Sequence, residues 1–232
     1  MGKKIKILYF VIPIFFAVIF YNNVDNEITS EDIYYLKKFQ GSNSIDFNVP
    51  DNFELQLRNI EKIQNLVLSG SKKEEVIKFD MPSEPKDVYL HNASSCSSRS
   101  RVIEKFLRYY GYETRHISIY DISQTNSALK SLITYRNPSH AVTEVKTAKG
   151  WLIVDSNNPW LSIAKTGKII SIDELKKINT SGEKLNWMIE PKESIFNKRF
   201  TYVYGLYSRH GRFFPPYNYV PDINWIEFSN NL

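Results

Sequence analysis

Cysteine and histidine are scarce in this chain, with one cysteine and four histidines among 232 residues. A lone cysteine has no partner within its own chain, so an intrachain disulfide is excluded. The histidines are scattered without the spacing of metal ligands, which argues against a zinc site or another metal site. The sequence therefore predicts neither a disulfide framework nor a metal centre.

The chain also lacks internal repeats, low-complexity tracts, heptads and any clustered basic stripe. Its net charge is +5, but acidic residues are interspersed with the basic ones, which argues against a nucleic-acid partner. An anionic membrane or polysaccharide partner stays open. Hydrophobic residues make up 42% and aromatic residues 14% of the sequence, enough to bury a substantial core.

An almost purely apolar run occupies residues 7–21, directly after Lys3, Lys4 and Lys6. A basic start followed by an apolar run is typical of an export signal. The run ends without the small residues of a cleavage site, which favours an uncleaved signal anchor over residues 1–22. The positive-inside rule then predicts a single-pass membrane protein whose folded part is periplasmic or extracellular.

The lone cysteine, Cys96, becomes more informative in that location. Cysteines in an oxidising compartment usually pair, so an unpaired exported one is a candidate reactive thiol. The alternative is a buried cysteine that packs as a small hydrophobe. Serines at 94, 95, 97 and 98 flank Cys96 and suit a core poorly, which favours the reactive role.

Hydrophobic periodicity and turn residues predict the order of the secondary structure. Helices are predicted at 30–39, at 52–69 behind a capping box of Asp51 and Glu54, from Cys96 to the stop at Gly111, and from Ser171 to 178. Strands are predicted at 112–120, 140–147, 151–155 and 168–172, and Pro82 and Pro85 mark a linker. The predicted divisions are an anchor at 1–22, a tether and helical region at 23–85, a catalytic core at 86–178 and an aromatic C-terminal extension at 179–232.

Cysteine, histidine and aspartate follow one another in an order that suggests thiol-based acyl transfer. Cys96 opens an amphipathic helix, whose N-terminus favours a thiolate. His140 begins the first strand of the predicted hairpin and Asp155 ends the second. With a loop of two or four residues, antiparallel pairing places both on one face of the sheet, whereas a three-residue loop would need a bulge to do so. Each residue alone has an ordinary structural explanation. Their order, placement and shared face together predict a triad of nucleophile, base and orienting carboxylate.

Other residues are candidates for supporting roles at this triad. Backbone amides at the start of the Cys96 helix are natural donors to an oxyanion. The side-chain candidates for the oxyanion or the substrate are His91, Asn92 and Trp151. The weaker alternatives to His140 as the base are His91, His116 and His210. The aromatic C-terminal part either packs on the core, which we favour, or lines a substrate cleft with Arg209, His210 and Arg212.

Three segments resemble the core of the transglutaminase-like superfamily of papain-like thiol enzymes. They are the helix opened by Cys96 and followed by LRYYGYETR at 107–115, then HAVTEV at 140–145, then WLIVD at 151–155. The match covers roughly residues 86–175 and departs from the family at Val142, where tryptophan is common. The resemblance implies an α+β, papain-like fold with the catalytic cysteine at a helix N-terminus packed on an antiparallel sheet. It also implies the triad of Cys96, His140 and Asp155, and no cofactor.

The resemblance implies a membrane-anchored bacterial type of thiol enzyme that acts outside the cytoplasm on a peptide, protein or glycoconjugate. Acyl transfer at an amide bond is the leading hypothesis, and the triad leaves open whether the acceptor is an amine or water. One alternative is a cysteine peptidase or amidase of the cell envelope. Another is a catalytically idle, anchored scaffold in envelope or polysaccharide assembly.

Overall fold

The computed structural model describes residues 23–43, 45, 49–71, 83–92, 94–207 and 222–232, besides the single positions 13 and 17. The helices in these stretches are α1 (Ser30–Gln40), α2 (Phe53–Ser69), α3 (Pro85–His91), α4 (Cys96–Tyr109), α5 (Ala128–Ile133), α6 (Ile172–Ser181) and α7 (Trp225–Phe228). The strands are β1 (Thr114–Asp121), β2 (Ser139–Thr147), β3 (Gly150–Asp155), β4 (Phe200–Tyr204), β5 (Leu206–Tyr207) and β6 (Asp222–Ile223). The fold is α+β, as the sequence predicts.

The central sheet is antiparallel and has the strand order β3-β2-β1-β4. β2 and β3 form a hairpin in which Thr147 pairs with Gly150 and Val142 pairs with Asp155. Gly150 has a φ of +117°, a backbone conformation that residues with a side chain rarely adopt. Because side chains alternate along a strand, this register puts His140 and Asp155 on the same face of the sheet. The predicted sharing of one face is therefore confirmed.

Both faces of the sheet are covered by apolar side chains. On one face, Val145, Leu152 and Val154 pack against α4 and α2. The apolar stripe predicted for α4 is buried there, and it consists of Val102, Ile103, Phe106, Leu107 and Tyr110. The opposite face packs on a second cluster, whose members include Ile117, Val142, Ile153, Trp160, Trp187 and Phe196. The sheet therefore separates two parts of the core.

The helix starts correct two of the predictions. α2 is capped by Asn52, whose side chain accepts the N–H groups of Glu54 and Leu55, so the prediction of an Asp51 cap is wrong by one residue. Pro85 does not belong to a linker but opens α3, where proline's missing N–H costs no helical hydrogen bond. Pro82 lies outside the described residues. Ser171 caps α6 by accepting from the N–H of Glu174, as predicted.

The prediction of a strand at 168–172 is wrong: no strand forms there in the structure, and Ile169 makes only an isolated bridge with Ile163. The helix predicted at 30–39 forms as α1, which buries Leu36 and Phe39 in the core. The C-terminal part of the chain supplies β4, which pairs with β1 inside the central sheet. Local sequence patterns do not report this long-range pairing and packing.

The two ends of the described chain meet beside α4. The N–H of Val24 donates to the carbonyl of Ile223 at 2.9 Å, and Arg101 donates to the carbonyl of Asp25 at 2.6 Å. The predicted anchor at 1–22 lies outside the described residues apart from positions 13 and 17, and so do Arg209, His210 and Arg212. Among the helices of the described stretches, none combines the length and the apolarity that crossing a bilayer requires.

A buried ion pair joins the sheet to α6. Arg115 of β1 donates to the carboxylate of its β2 neighbour Glu144 at 2.8 Å, and the other carboxylate oxygen accepts the N–H of Ile172 at 2.8 Å. The guanidinium lies between the rings of Trp151 and Tyr204, 4.0 and 4.5 Å from their centres. Glu144 is fully buried, so its charge depends on these partners.

We expect Glu144→Gln to lower the free energy of unfolding by about 2–4 kcal/mol, because it leaves the Arg115 charge without its carboxylate. Urea denaturation followed by tryptophan fluorescence measures this loss. The matched control is Glu113→Gln, which breaks the exposed pair with Lys146 and should leave the denaturation midpoint in place. Equal effects of the two substitutions would contradict a structural role for the buried pair.

Candidate active site

The start of α4 is fixed by a reciprocal pair of serines. The side chain of Ser95 accepts the N–H of Ser98, and the side chain of Ser98 accepts the N–H of Ser95 at 2.7 Å. Cys96 is thus the first residue of the helix, as predicted. The residue is partly exposed and packs against Ala141 and Tyr120. Its thiol lies at the positive end of the helix dipole.

His140 and Asp155 form a buried hydrogen-bonded pair. The Nε2 of His140 donates to Oδ1 of Asp155 at 2.7 Å. Two residues of the following turn hold the carboxylate: the N–H of Asn157 donates to Oδ1 at 3.0 Å, and the side-chain amide of Asn158 donates to Oδ2 at 3.1 Å. The ring of Phe196 packs edge-on against the imidazole, with ring centres 5.7 Å apart. The imidazole is therefore held in one orientation.

The thiol of Cys96 meets this pair at the end of the sheet. His140 and the backbone N–H of Ala141 lie close enough to the thiol to lower its pKa. Because Nε2 bonds to Asp155, Nδ1 is the imidazole nitrogen that is left to face the thiol. Ala141 lies on the α4 side of the sheet, whereas His140 lies on the opposite side. The thiol and the imidazole approach each other past the end of the hairpin ladder, because the pairing of β2 with β3 stops at Val142 and Asp155.

The charges of these groups favour a thiolate and an imidazolium. Burial opposes each charge, but the neighbouring groups outweigh it. The hydrogen bond to Asp155 and the negative charges of Asp155 and Cys96 raise the pKa of His140 to about 10. The neighbouring His140 lowers the pKa of the Cys96 thiol, and it also lowers the pKa of Asp155. Both shifts favour the charged forms, and the thiolate is the nucleophilic form of cysteine.

Trp151 does not reach the thiol. It lies four residues before Asp155 on β3, about 13 Å along the strand, where it stacks on Arg115. Its predicted place at the site is therefore corrected to a role in the scaffold. His91 bonds to the carbonyl of Asp87 at 2.9 Å, and Asn92 ends α3 in a left-handed conformation. Both are exposed, and their roles at the oxyanion stay predictions.

His116 does not replace His140 as the base. His116 is fully buried against the ring of Tyr207, 4.1 Å away, and its Nδ1 is 3.3 Å from the hydroxyl of Ser100. Burial lowers the pKa of His116 to about 4, so it is neutral at physiological pH. His210 lies outside the described residues.

Several groups at the site were not predicted from the sequence. They are the N–H of Ala141, the Asn157–Asn158 turn, Phe196 and Arg99. Of these, the turn could have been predicted from the sequence, because aspartate and asparagine are typical of turns in which side chains bond to the backbone. The backbone N–H groups of Cys96 and Ser97 have no helical acceptor, because they lie in the first turn of α4. Within the described residues, no group of three or more metal-ligating side chains is close enough to hold an ion.

Comparisons with known proteins find no relative: no model of a protein family matches the chain, and no curated protein matches it. A functional proposal for this protein therefore depends on the geometry of the site and on the sequence motifs.

The role of Asp155 can be tested at its partner. In Asp155→Asn the imidazolium loses its countercharge, so the proton of His140 should leave at a lower pH. We expect the pKa of His140 to fall by about two pH units or more, followed by NMR titration of the imidazole. Asn158→Ala removes the hydrogen bond to the same carboxylate and one to Glu193 but leaves the charge of Asp155 in place, so it should shift the pKa of His140 less. Titration of His140 near its wild-type pH in the Asp155→Asn variant would contradict the role of this carboxylate.

Proposed function

We propose that this protein is a transglutaminase-like thiol enzyme that transfers acyl groups from amide or peptide bonds through a thioester at Cys96. The observation that supports this most is the placement of Cys96 beside the hydrogen-bonded pair of His140 and Asp155. In this proposal Cys96 is the nucleophile, His140 the acid and base, and Asp155 the group that orients the imidazole.

The proposed reaction has two halves. In the first, the thiolate of Cys96 attacks the carbonyl carbon of the substrate and forms a tetrahedral intermediate. The carbon–nitrogen bond then breaks, and the imidazolium of His140 gives its proton to the leaving amine. A thioester remains. In the second half, His140 takes a proton from water or an acceptor amine, which attacks the thioester carbonyl carbon. The carbon–sulfur bond then breaks, which releases the acid or the new amide and restores the Cys96 thiolate beside the imidazolium of His140.

The oxyanion of the tetrahedral intermediate needs hydrogen-bond donors that are already in place. The start of α4 offers the unpaired N–H groups of Cys96 and Ser97, both next to the reacting sulfur. The helix dipole adds a partial positive charge at the same point. In this proposal, these backbone groups stabilise the oxyanion in place of the side chains of His91 and Asn92.

The resemblance of the motif segments adds support from outside the triad. The segment at 140–145 supplies His140 and the buried Glu144, and the segment at 151–155 supplies Trp151 and Asp155. Arg115, which ends the first motif, contacts both Glu144 and Trp151. The motif residues thus form the triad and one connected scaffold beneath it. This is consistent with a papain-like core, which we include in the proposal.

We further propose that the enzyme acts outside the cytoplasm, held at the membrane by residues 1–22. Its substrate class would be a peptide, protein or glycoconjugate of the envelope. Nothing in the triad selects an amine over water as the acceptor. Trapping with hydroxylamine separates the two halves of the reaction, because hydroxylamine attacks a thioester and gives a stable hydroxamate of the acyl group.

Thiol labelling tests the activated cysteine directly. At pH 7 we expect iodoacetamide to modify Cys96 at least about tenfold faster than it modifies glutathione, because the lowered pKa of Cys96 increases its thiolate fraction. His140→Ala should slow this reaction by about tenfold or more. Intact-mass spectrometry is sufficient to follow labelling, since the chain has a single cysteine.

His91→Ala is the matched control, because it removes an exposed histidine that bonds only near its own helix end. Its labelling rate should equal that of the wild type. If Cys96 reacts no faster than glutathione and His140→Ala does not change its labelling rate, the proposal of a thiol enzyme is wrong. A catalytically idle scaffold would then be favoured.

A further inference from the structure

Arg99 is a buried cation beside the proposed nucleophile. It lies three residues after Cys96, one turn along α4, and is only 2% exposed. Its guanidinium donates to the carbonyl and hydroxyl of Ser94, at 3.1 and 2.7 Å, and to the carbonyl of Ser156 and the side-chain oxygen of Asn157. All these acceptors are uncharged.

The next arginine on the same helix is neutralised in the usual way. Arg101 forms ion pairs with Glu84 and Glu104, at 3.3 and 3.4 Å. In the described part of the chain, no carboxylate forms such a pair with Arg99. The acidic groups that act on it from a distance are the thiol of Cys96, Asp155 and Glu193. A buried cation without a direct partner is costly, so its retention here calls for a reason.

The hydrogen bonds of Arg99 connect the two parts of the chain that carry the reactive groups. Ser94 precedes the nucleophile, whereas Ser156 and Asn157 follow Asp155. Asn157 in turn donates its N–H to the carboxylate of Asp155. One guanidinium thus fixes the start of α4 to the turn that holds the carboxylate. Arginine suits this position because its planar fork directs several N–H groups at once.

We propose that Arg99 is a positioning residue of the thiol site, which holds Cys96 against the Asp155 turn and favours negative charge on the sulfur and on the oxyanion. This inference depends on the proposed function, because it assigns a role in the same reaction. The charge of Arg99 acts in the same direction as His140 and the N–H of Ala141, all of which lower the pKa of Cys96 against the effect of burial.

The test measures the thiol itself and needs no acyl substrate. We expect Arg99→Gln to raise the pKa of Cys96 by about one pH unit, read from the pH profile of iodoacetamide labelling. The labelling rate at pH 7 should fall about threefold to tenfold, since the loss of thiolate is partly offset by its greater nucleophilicity. Arg99→Lys keeps the positive charge but lacks the planar guanidinium, so the pKa of Cys96 should stay low in this variant.

Arg108→Gln is the matched control on the same helix. It removes a cation about 18 Å from Cys96 along α4 and should leave the labelling profile unchanged. Circular dichroism and thermal unfolding check that each variant is folded. If Arg99→Gln folds and keeps the wild-type profile, the inference is overturned. If Arg99→Gln does not fold, Arg99→Lys decides: a folded lysine variant with the pKa of an ordinary thiol overturns it equally.

Failure of this inference is distinguishable from failure of the proposed function. A loss of reactivity in His140→Ala with no change in Arg99→Gln rejects only the role of Arg99. Unchanged reactivity in His140→Ala rejects the thiol enzyme, whatever Arg99→Gln shows.

Discussion

The register of the β2–β3 hairpin is the constraint on which the candidate site depends. Pairing of Val142 with Asp155 places the carboxylate on the same face as His140, at the point where β3 ends. Because the ladder stops there, the N–H of Ala141 is available to the thiol. A shift of one residue would turn Asp155 to the opposite face and break its contact with the imidazole. The tight turn at Gly150 therefore matters for chemistry at the far end of the hairpin.

Buried charge is concentrated on α4, and its arrangement changes along the helix. Toward the C-terminal half, Lys105 pairs with Asp32 at 2.6 Å, and Arg108 pairs with Glu104 and Glu227. These pairs join α4 to the N-terminal and C-terminal segments, and they balance charge within the scaffold. At the N-terminal end the cation Arg99 faces neutral acceptors instead. The helix thus has one end whose charges are neutralised and one end that favours an anion.

The sequence predicted the parts of this structure that depend on local patterns. The hairpin, the start of α4 and the apolar stripe of Ile103, Phe106 and Leu107 follow from alternation, capping residues and helical periodicity. The polar side of α4 could not be assigned in this way, because Arg99 and Lys105 are expected to face solvent. They are buried by distant segments that supply Asp32 and the 156–157 turn. The pairing of β4 with β1 escaped prediction for the same reason, since it joins residues about 80 positions apart.

The sequence motifs and the rest of the chain contribute different parts of the proposed enzyme. The helix opened by Cys96 and the segments at 140–145 and 151–155 supply the proposed triad. The groups that surround the imidazole and the carboxylate come largely from outside these motifs: Phe196 packs on His140, and Glu193 accepts the amides of Asn157 and Asn158. Leu206, which packs against the same Tyr120 and Ala141 cluster as Cys96, also lies beyond them. Because these surroundings can differ while the three groups stay the same, the proposed triad is compatible with different acyl donors. In the proposed enzyme, selection among those donors would therefore depend on the part of the chain after residue 178.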